Sequence, residues 1–133
     1  MIYRLSIQDG FAAAHRLAGS GGKCESLHGH NFRVTLEVTG EHLDETGMLM
    51  DFGDLKKVLK TVIAELDHSD LNEHPAFSGS SPSSENIARF IWGKVNDAIN
   101  LDTVTVASVT VNESDTASAR YEPGEGRPET GKR

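Results

Sequence analysis

Cysteine occurs once in the 133-residue chain, at Cys24, so no disulfide can form within it. A reducing, cytoplasmic setting is the expectation. No apolar run approaches the ~20 residues that a membrane-spanning helix needs. The amino-terminal MIYRLSIQDG alternates apolar and polar residues instead of building an apolar secretory segment. Basic side chains are outnumbered, with 13 Lys and Arg against 20 Asp and Glu, for a net charge of −7. Residues 1–122 alone hold 10 basic and 18 acidic side chains, a net −8. Such a balance counts against nucleic acid or an anionic membrane as the main partner. A phosphate-bearing ligand would need a local basic pocket, for which Arg16, Lys23 and Arg33 are candidates by position. Repeats and internal low-complexity segments are also missing. The tail PGEGRPETGKR, residues 123–133, has no apolar pattern and is expected to be disordered. What remains, residues 1–122, is the length of one domain.

Within that body, residues 2–8 alternate, and a strand with one buried face is expected there. Gly10 is a candidate bulge or turn, with Phe11 to His15 continuing extended. The segment AGSGGKCESL, residues 18–27, reads as a glycine-rich loop. Phe32, Val34, Leu36 and Val38 alternate with Arg33, Thr35, Glu37 and Thr39, the clearest strand in the chain. Leu55, Val58, Leu59, Val62, Ile63 and Leu66 recur at helical spacing, with Asp51 or Asp54 as the cap. A second helix is predicted from Ser83 or Ser84 to about Asn96, started by Pro82 among serines. Strands are predicted at 103–112 and 117–122, with a bulge near Ala107 and Ser108 where the apolar phase slips. The order β-β-α-α-β-β implies an α+β fold: a four-stranded antiparallel sheet covered on one face by two helices. A sheet that small has two free edges, and joining edges between copies would remove them.

Several residues carry chemistry. His28 and His30 are two apart, so in an extended segment both rings face one side. With His15 from the preceding extended segment they would supply three nitrogens and leave a fourth position open, the pattern of catalytic zinc. The competing reading is three unrelated histidines. His42 and His74 sit in polar loops and read as solvated. Cys24, four residues before His28, is either a base or nucleophile activated by a nearby metal or an inert loop thiol. Asp67-His68 at the end of the first helix is either a carboxylate-oriented acid/base pair or a solvated helix end. Glu113 could hold a guanidine-like ligand edge by paired hydrogen bonds, or simply sit in a turn. Met48, Met50 and Trp92 read as core packing.

Together the segments FAAAHRL (11–17), CESLHGHNFRV (24–34), GMLMDFGDLK (47–56), LDHSDLN (66–72), PSSENIARFIW (82–92) and VNES (111–114) resemble the family of 6-pyruvoyl-tetrahydropterin and 6-carboxytetrahydropterin synthases. The resemblance spans roughly residues 2–122. It implies the T-fold, or tunnelling fold, with two helices between strands two and three. It also implies barrel-forming trimers that stack into a hexamer, with active sites at subunit interfaces. His15, His28 and His30 match the zinc ligands, Cys24 the catalytic cysteine, Asp67 and His68 the acid/base pair, and Glu113 the pterin anchor. Glu85 matches a motif position that helix capping explains equally well.

The implied reaction converts 7,8-dihydroneopterin triphosphate to 6-carboxy-5,6,7,8-tetrahydropterin, with loss of triphosphate and acetaldehyde, on a route to queuosine and related deazapurines. A second branch of the family resembles E-x-x-H-G-H without the cysteine and makes 6-hydroxymethyl-7,8-dihydropterin for folate. Cys24-Glu25 ahead of His28 satisfies both patterns, so Glu25 is a further candidate catalytic residue and a bifunctional enzyme an alternative. Further alternatives are a 6-pyruvoyl-tetrahydropterin synthase and a non-catalytic zinc- or pterin-binding relative.

Overall fold

The computed structural model of the chain describes residues 1–19 and 22–124, without the side chains of Lys23 and Cys24. Two 13-residue strands, β1 (Tyr3–His15) and β2 (His28–Gly40), form the spine of the sheet. They pair antiparallel without a register break from Tyr3 opposite Gly40 to His15 opposite His28. β2 then pairs with β4 (Thr105–Ser114), which pairs with β5 (Ala117–Tyr121), both antiparallel. On one face lie α1 (Phe52–Ile63) and α2 (Ser84–Ala98). The layout is the α+β arrangement that the order of elements predicts.

Alternation decides which face the helices cover. Phe32, Val34, Leu36 and Val38 of β2 are all buried, as are Ile7, Phe11 and Ala13 of β1. The helices answer with Leu55, Leu59, Val62 and Ile63 from α1 and Ile87, Ala88, Ile91, Trp92 and Val95 from α2. Each fully buried Leu, Ile, Val or Phe contributes roughly 1.5–3 kcal/mol of hydrophobic transfer energy. Trp92 closes the stack while its Nε1–H donates to the Val106 carbonyl at 3.1 Å, so the buried indole leaves no orphan donor. Asp51 caps α1 through Gly53 N–H, and Ser83 caps α2 through Asn86 N–H. Glu85 is exposed in the first turn of α2, one residue short of the position from which a capping-box acid reaches back.

Four expectations need correction. The sheet has five strands, in the order β3-β1-β2-β4-β5. The extra strand, β3 (Ser69–Asp70), runs parallel to β1 at Ala13 and Ala14, and two residues are too few to show any periodicity. Gly10 is neither a bulge nor a turn, because β1 runs through it. Its role is a close approach: a Cβ there would stand 2.9 Å from the Phe32 carbonyl oxygen. Met48 is exposed, whereas Met50 and Trp92 do pack on the core. His74 is no solvated loop residue. Its Nδ1 accepts from Ala76 N–H at 3.0 Å and its ring packs against Phe77 and Phe90. Pro75 directly after it is the sequence signal of a cap that the polar context obscures.

The bulge near Ala107 is present. Glu37 faces Ser108 and Val38 faces Val106, leaving Ala107 as the extra residue. Of the expected tail, residues 125–133 lie outside the described residues. No described helix is long and apolar enough to cross a membrane. Where β2 ends, Gly40 passes tightly under Leu49 and the Thr103 carbonyl, and a Cβ would collide with both. The Thr103 oxygen is backbone and cannot swing aside. Gly40→Ala is therefore expected to cost about 1–3 kcal/mol, measured as a lower midpoint in urea unfolding with an unchanged m-value.

Candidate metal centre and acid/base pair

Three imidazoles meet at the end of the β1–β2 ladder. His15 and His28 are register partners, and His30 lies opposite Ala13 on the same helix-facing side. Their nearest nitrogens all fall within 4.8 Å of one another. The ring centroids are 4.6 Å apart for His15–His28, 5.2 Å for His15–His30 and 4.9 Å for His28–His30, all edge to face.

The hydrogen bonds set the tautomers. His15 Nδ1 lies 2.8 Å from the Pro82 carbonyl, and His28 Nδ1 lies 2.7 Å from the Ser26 carbonyl. A carbonyl only accepts, so in both rings Nδ1 carries a proton, which in the neutral tautomer leaves the lone pair on Nε2. Backbone carbonyls in this role orient and strengthen metal-ligating histidines. The Nε2 atoms of His15 and His30 are buried and have no hydrogen-bond partner among the described residues. Orphaned buried nitrogens are costly, and a cation among them would satisfy both. Burial also holds His30 below the usual imidazole pKa, with the nearby Glu113 carboxylate opposing and the His15 and His28 rings reinforcing the shift. The ring is thereby kept neutral, as a ligand must be.

Glu113 lies within β4, not in a turn, because that strand runs on to Ser114. Its Oε1 is 3.6 Å from His15 Nε2 and 3.7 Å from His30 Nε2, beyond hydrogen-bond length but aimed at the cluster. Three imidazoles beside one carboxylate form a donor set that suits a divalent transition-metal ion.

Asp67 and His68 follow α1 and lie against the outer edge of β1. Asp67 Oδ1 accepts from Ala12 N–H at 2.9 Å, and Oδ2 faces His68 Nδ1 at 3.0 Å. His68 N–H donates to the Ala12 carbonyl. The φ of His68 is 58°, in the left-handed region that non-glycine residues seldom adopt, and the strain is held by the pairing on either side. Bonding to Ala12 N–H, then to His68, holds the Asp67 carboxyl below the ordinary carboxylate range. The His68 ring lines a recess of about 430 Å³ together with Ala12, Ala14, Gly29, His30 and Asn31. Among the described residues, no hydrogen bond or ring contact joins it to the three clustered histidines.

Glu25 is exposed in the short 3-10 turn Gly22–Glu25, and its Oε2 accepts from Gly19 N–H at 3.0 Å. The Cys24 side chain lies outside what the structure describes. Arg16 and Arg33 are exposed, and Arg33 stands opposite Asn112 on the face away from the helices. His42 is exposed, as expected.

The profile of the 6-pyruvoyl tetrahydropterin synthase family matches residues 4–124. This chain belongs to that family. The 6-carboxy-5,6,7,8-tetrahydropterin synthase of Synechocystis is 41% identical over 116 residues, covering 84% of this chain and 86% of the relative. The enzyme of that name from Bacillus subtilis is 36% identical, with 86% and 82% covered. The 6-pyruvoyl tetrahydropterin synthase structure from Caenorhabditis elegans superposes with a TM-score of 0.84 at 27% identity, covering 93% of this chain and 97% of that one. The T-fold of this synthase family is therefore the fold of this chain, which here has five strands with the short β3 included. Sequence reasoning missed two supports of the site, the Pro82 carbonyl and Asn72, which contact His15 and Arg16 across 67 and 56 residues of chain. Only their membership of the matching segments PSSEN and LDHSDLN hinted at a role.

Proposed function

We propose that the protein is a zinc-dependent lyase that converts 7,8-dihydroneopterin triphosphate and one water to 6-carboxy-5,6,7,8-tetrahydropterin, triphosphate and acetaldehyde. The observation that carries this reading is the convergence of His15, His28 and His30, two of them with orphaned Nε2 atoms, beside the Glu113 carboxylate. The choice of product follows the name shared by the Synechocystis and Bacillus relatives, and it would place the enzyme on a route to queuosine and related deazapurines.

His15, His28 and His30 would hold the zinc ion. Bound there, zinc supplies Lewis acidity that makes protons on the substrate's hydroxylated side chain easier to remove. Glu113 anchors the pterin by accepting from its amino and ring N–H groups. Cys24 takes a proton as thiolate. Asp67 keeps His68 in the tautomer that carries hydrogen on Nδ1, leaving Nε2 to accept a proton and return it. Triphosphate departs by elimination.

The pair Asp67-His68 opens towards solvent, with 82% of the His68 side chain exposed. Among the described residues, β1 has no strand partner along residues 3–11 of its outer edge, and β5 ends the sheet on the other side. Joining these edges between copies would give trimeric barrels, two of which stack as a hexamer with sites completed at the interfaces.

Product analysis tests the reading. Zinc-loaded protein incubated with 7,8-dihydroneopterin triphosphate is expected to yield 6-carboxytetrahydropterin and acetaldehyde, identified by mass spectrometry. Intact substrate under metal-replete conditions would overturn it in favour of a zinc- or pterin-binding role. A second product, 6-hydroxymethyl-dihydropterin, is the outcome that the Cys24-Glu25 pair favours if the enzyme is bifunctional. Glu25→Gln is the informative variant because the amide oxygen can still accept from Gly19 N–H while the base is lost. Loss of the hydroxymethyl product alone assigns that activity to Glu25, and its persistence leaves Glu25 as a loop-closing residue.

A further inference from the structure

We infer that Asn72 is a positioning residue for the metal centre: its carboxamide fixes the backbone just beyond His15 and ties that ligand to the segment carrying Asp67 and His68. The inference rests on the metal-dependent reading above. β1 ends at His15, whose partner is the first residue of β2, so Arg16 has no neighbour in the sheet. On the other side, β3 stops at Asp70 opposite Ala14. The peptide groups of Arg16 would therefore be loose directly after a ligand. Asn72 meets both: Oδ1 accepts from Arg16 N–H at 2.8 Å, and Nδ2 donates to the Arg16 carbonyl at 3.1 Å. The side chain thus replaces one missing rung of strand pairing.

Asn72 is itself held. Its N–H donates to Asp70 Oδ1 at 3.0 Å, and the preceding Leu71 is fully buried. Residues 67–72 consequently form one strap along β1. It is anchored at Ala12 by Asp67 and His68, at Ala13 and Ala14 by β3, and at Arg16 by Asn72. His15 lies between the last two anchors, with its ring fixed separately by the Pro82 carbonyl. A metal ligand must be held within about half an ångström and 10–20° of productive geometry. The strap therefore sets both the ligand and the phase of the acid/base pair.

The test is zinc affinity, read by competition with a chromophoric chelator on the full chain, alongside thermal stability. Outer-shell changes of this kind typically weaken metal binding about 10–100-fold, and Asn72→Ala is expected within that range. Asn72→Asp keeps the acceptor for Arg16 N–H but sets a second oxygen against the Arg16 carbonyl, so it is expected to be at least as weak. Leu71→Val disturbs the same turn without touching the clamp and is expected to bind zinc as the wild type does while melting lower. Wild-type affinity in Asn72→Ala overturns the inference alone, as does a loss that merely tracks melting temperature across Asn72→Ala and Leu71→Val. A wild-type protein that binds no zinc overturns the metal-dependent reading and this inference with it.

Discussion

His30→Ala is expected to remove zinc retention and turnover together, with kcat/KM falling about a thousandfold or more. Lewis-acid assistance supplies several kcal/mol of transition-state stabilisation, and each ~1.4 kcal/mol is a factor of ten. His30 is the informative ligand because about a quarter of its side chain is exposed, whereas His15 is fully buried against Phe32. Removing His15 would add a core cavity to the loss of a ligand and confuse stability with chemistry. His30→Ala should leave the β1–β2 ladder intact, since its pairing is through the backbone. The check is metal content by mass spectrometry alongside steady-state kinetics. Wild-type zinc content with wild-type kcat/KM would mean that the three histidines are not the reactive centre.

Asp67→Asn should be nearly as damaging, for a different reason. Two donors converge on this carboxylate: Ala12 N–H on Oδ1 and His68 Nδ1–H on Oδ2. An amide has one oxygen and cannot accept at both positions. Either the Ala12 anchor is lost, or the amide N–H₂ meets His68 Nδ1 and stabilises the tautomer with hydrogen on Nε2. In the second case the ring can no longer accept a proton at Nε2. A loss of about 10²–10⁴ in kcat, the usual contribution of a general acid or base, is expected with little change in KM. The pH dependence has a defined sign. Bonding to Ala12 N–H depresses the folded-state pKa of Asp67. Its contribution to folding is therefore present above the ordinary carboxylate pKa and disappears only as pH falls through the lower, folded value. The wild-type Ala12 anchor should survive mild acid, seen as hydrogen-exchange protection at Ala12, whereas Asp67→Asn should lack acid-dependent protection there. An Asp67→Asn enzyme with wild-type kcat would remove the pair from the mechanism.

Much of the architecture could be read from periodicity. The alternation from Phe32 to Val38 marks β2, and the apolar stripes starting at Leu55 and Ile87 mark the helices, because burial on one face imposes a period that composition alone records. The phase slip at Ala107 announced a real bulge. The errors fall where periodicity is silent or a local signal has two meanings. β3 is too short to alternate. Gly10 could mean a bend or a close approach, and only the Phe32 carbonyl 2.9 Å from the would-be Cβ decides between them. His74 lies in a polar stretch, yet Phe77 and Phe90 fold over it from separate elements.

The same division holds at the site. Residue type and spacing made His28 and His30 a half-site, since i and i+2 share a side of any strand, and an antiparallel neighbour made His15 a reasonable third ligand. The sequence by itself thus determined the family, the α+β class and the identity of the clustered imidazoles. Tertiary structure decided their chemistry. The Pro82 and Ser26 carbonyls select the tautomers, β4 aims Glu113 at the cluster, and the strap from Asp67 to Asn72 brings the Asp67-His68 pair and the backbone beside His15 to one strand edge. Contacts closed across more than fifty residues leave no local pattern, because they depend on where the chain returns and not on what lies beside each residue.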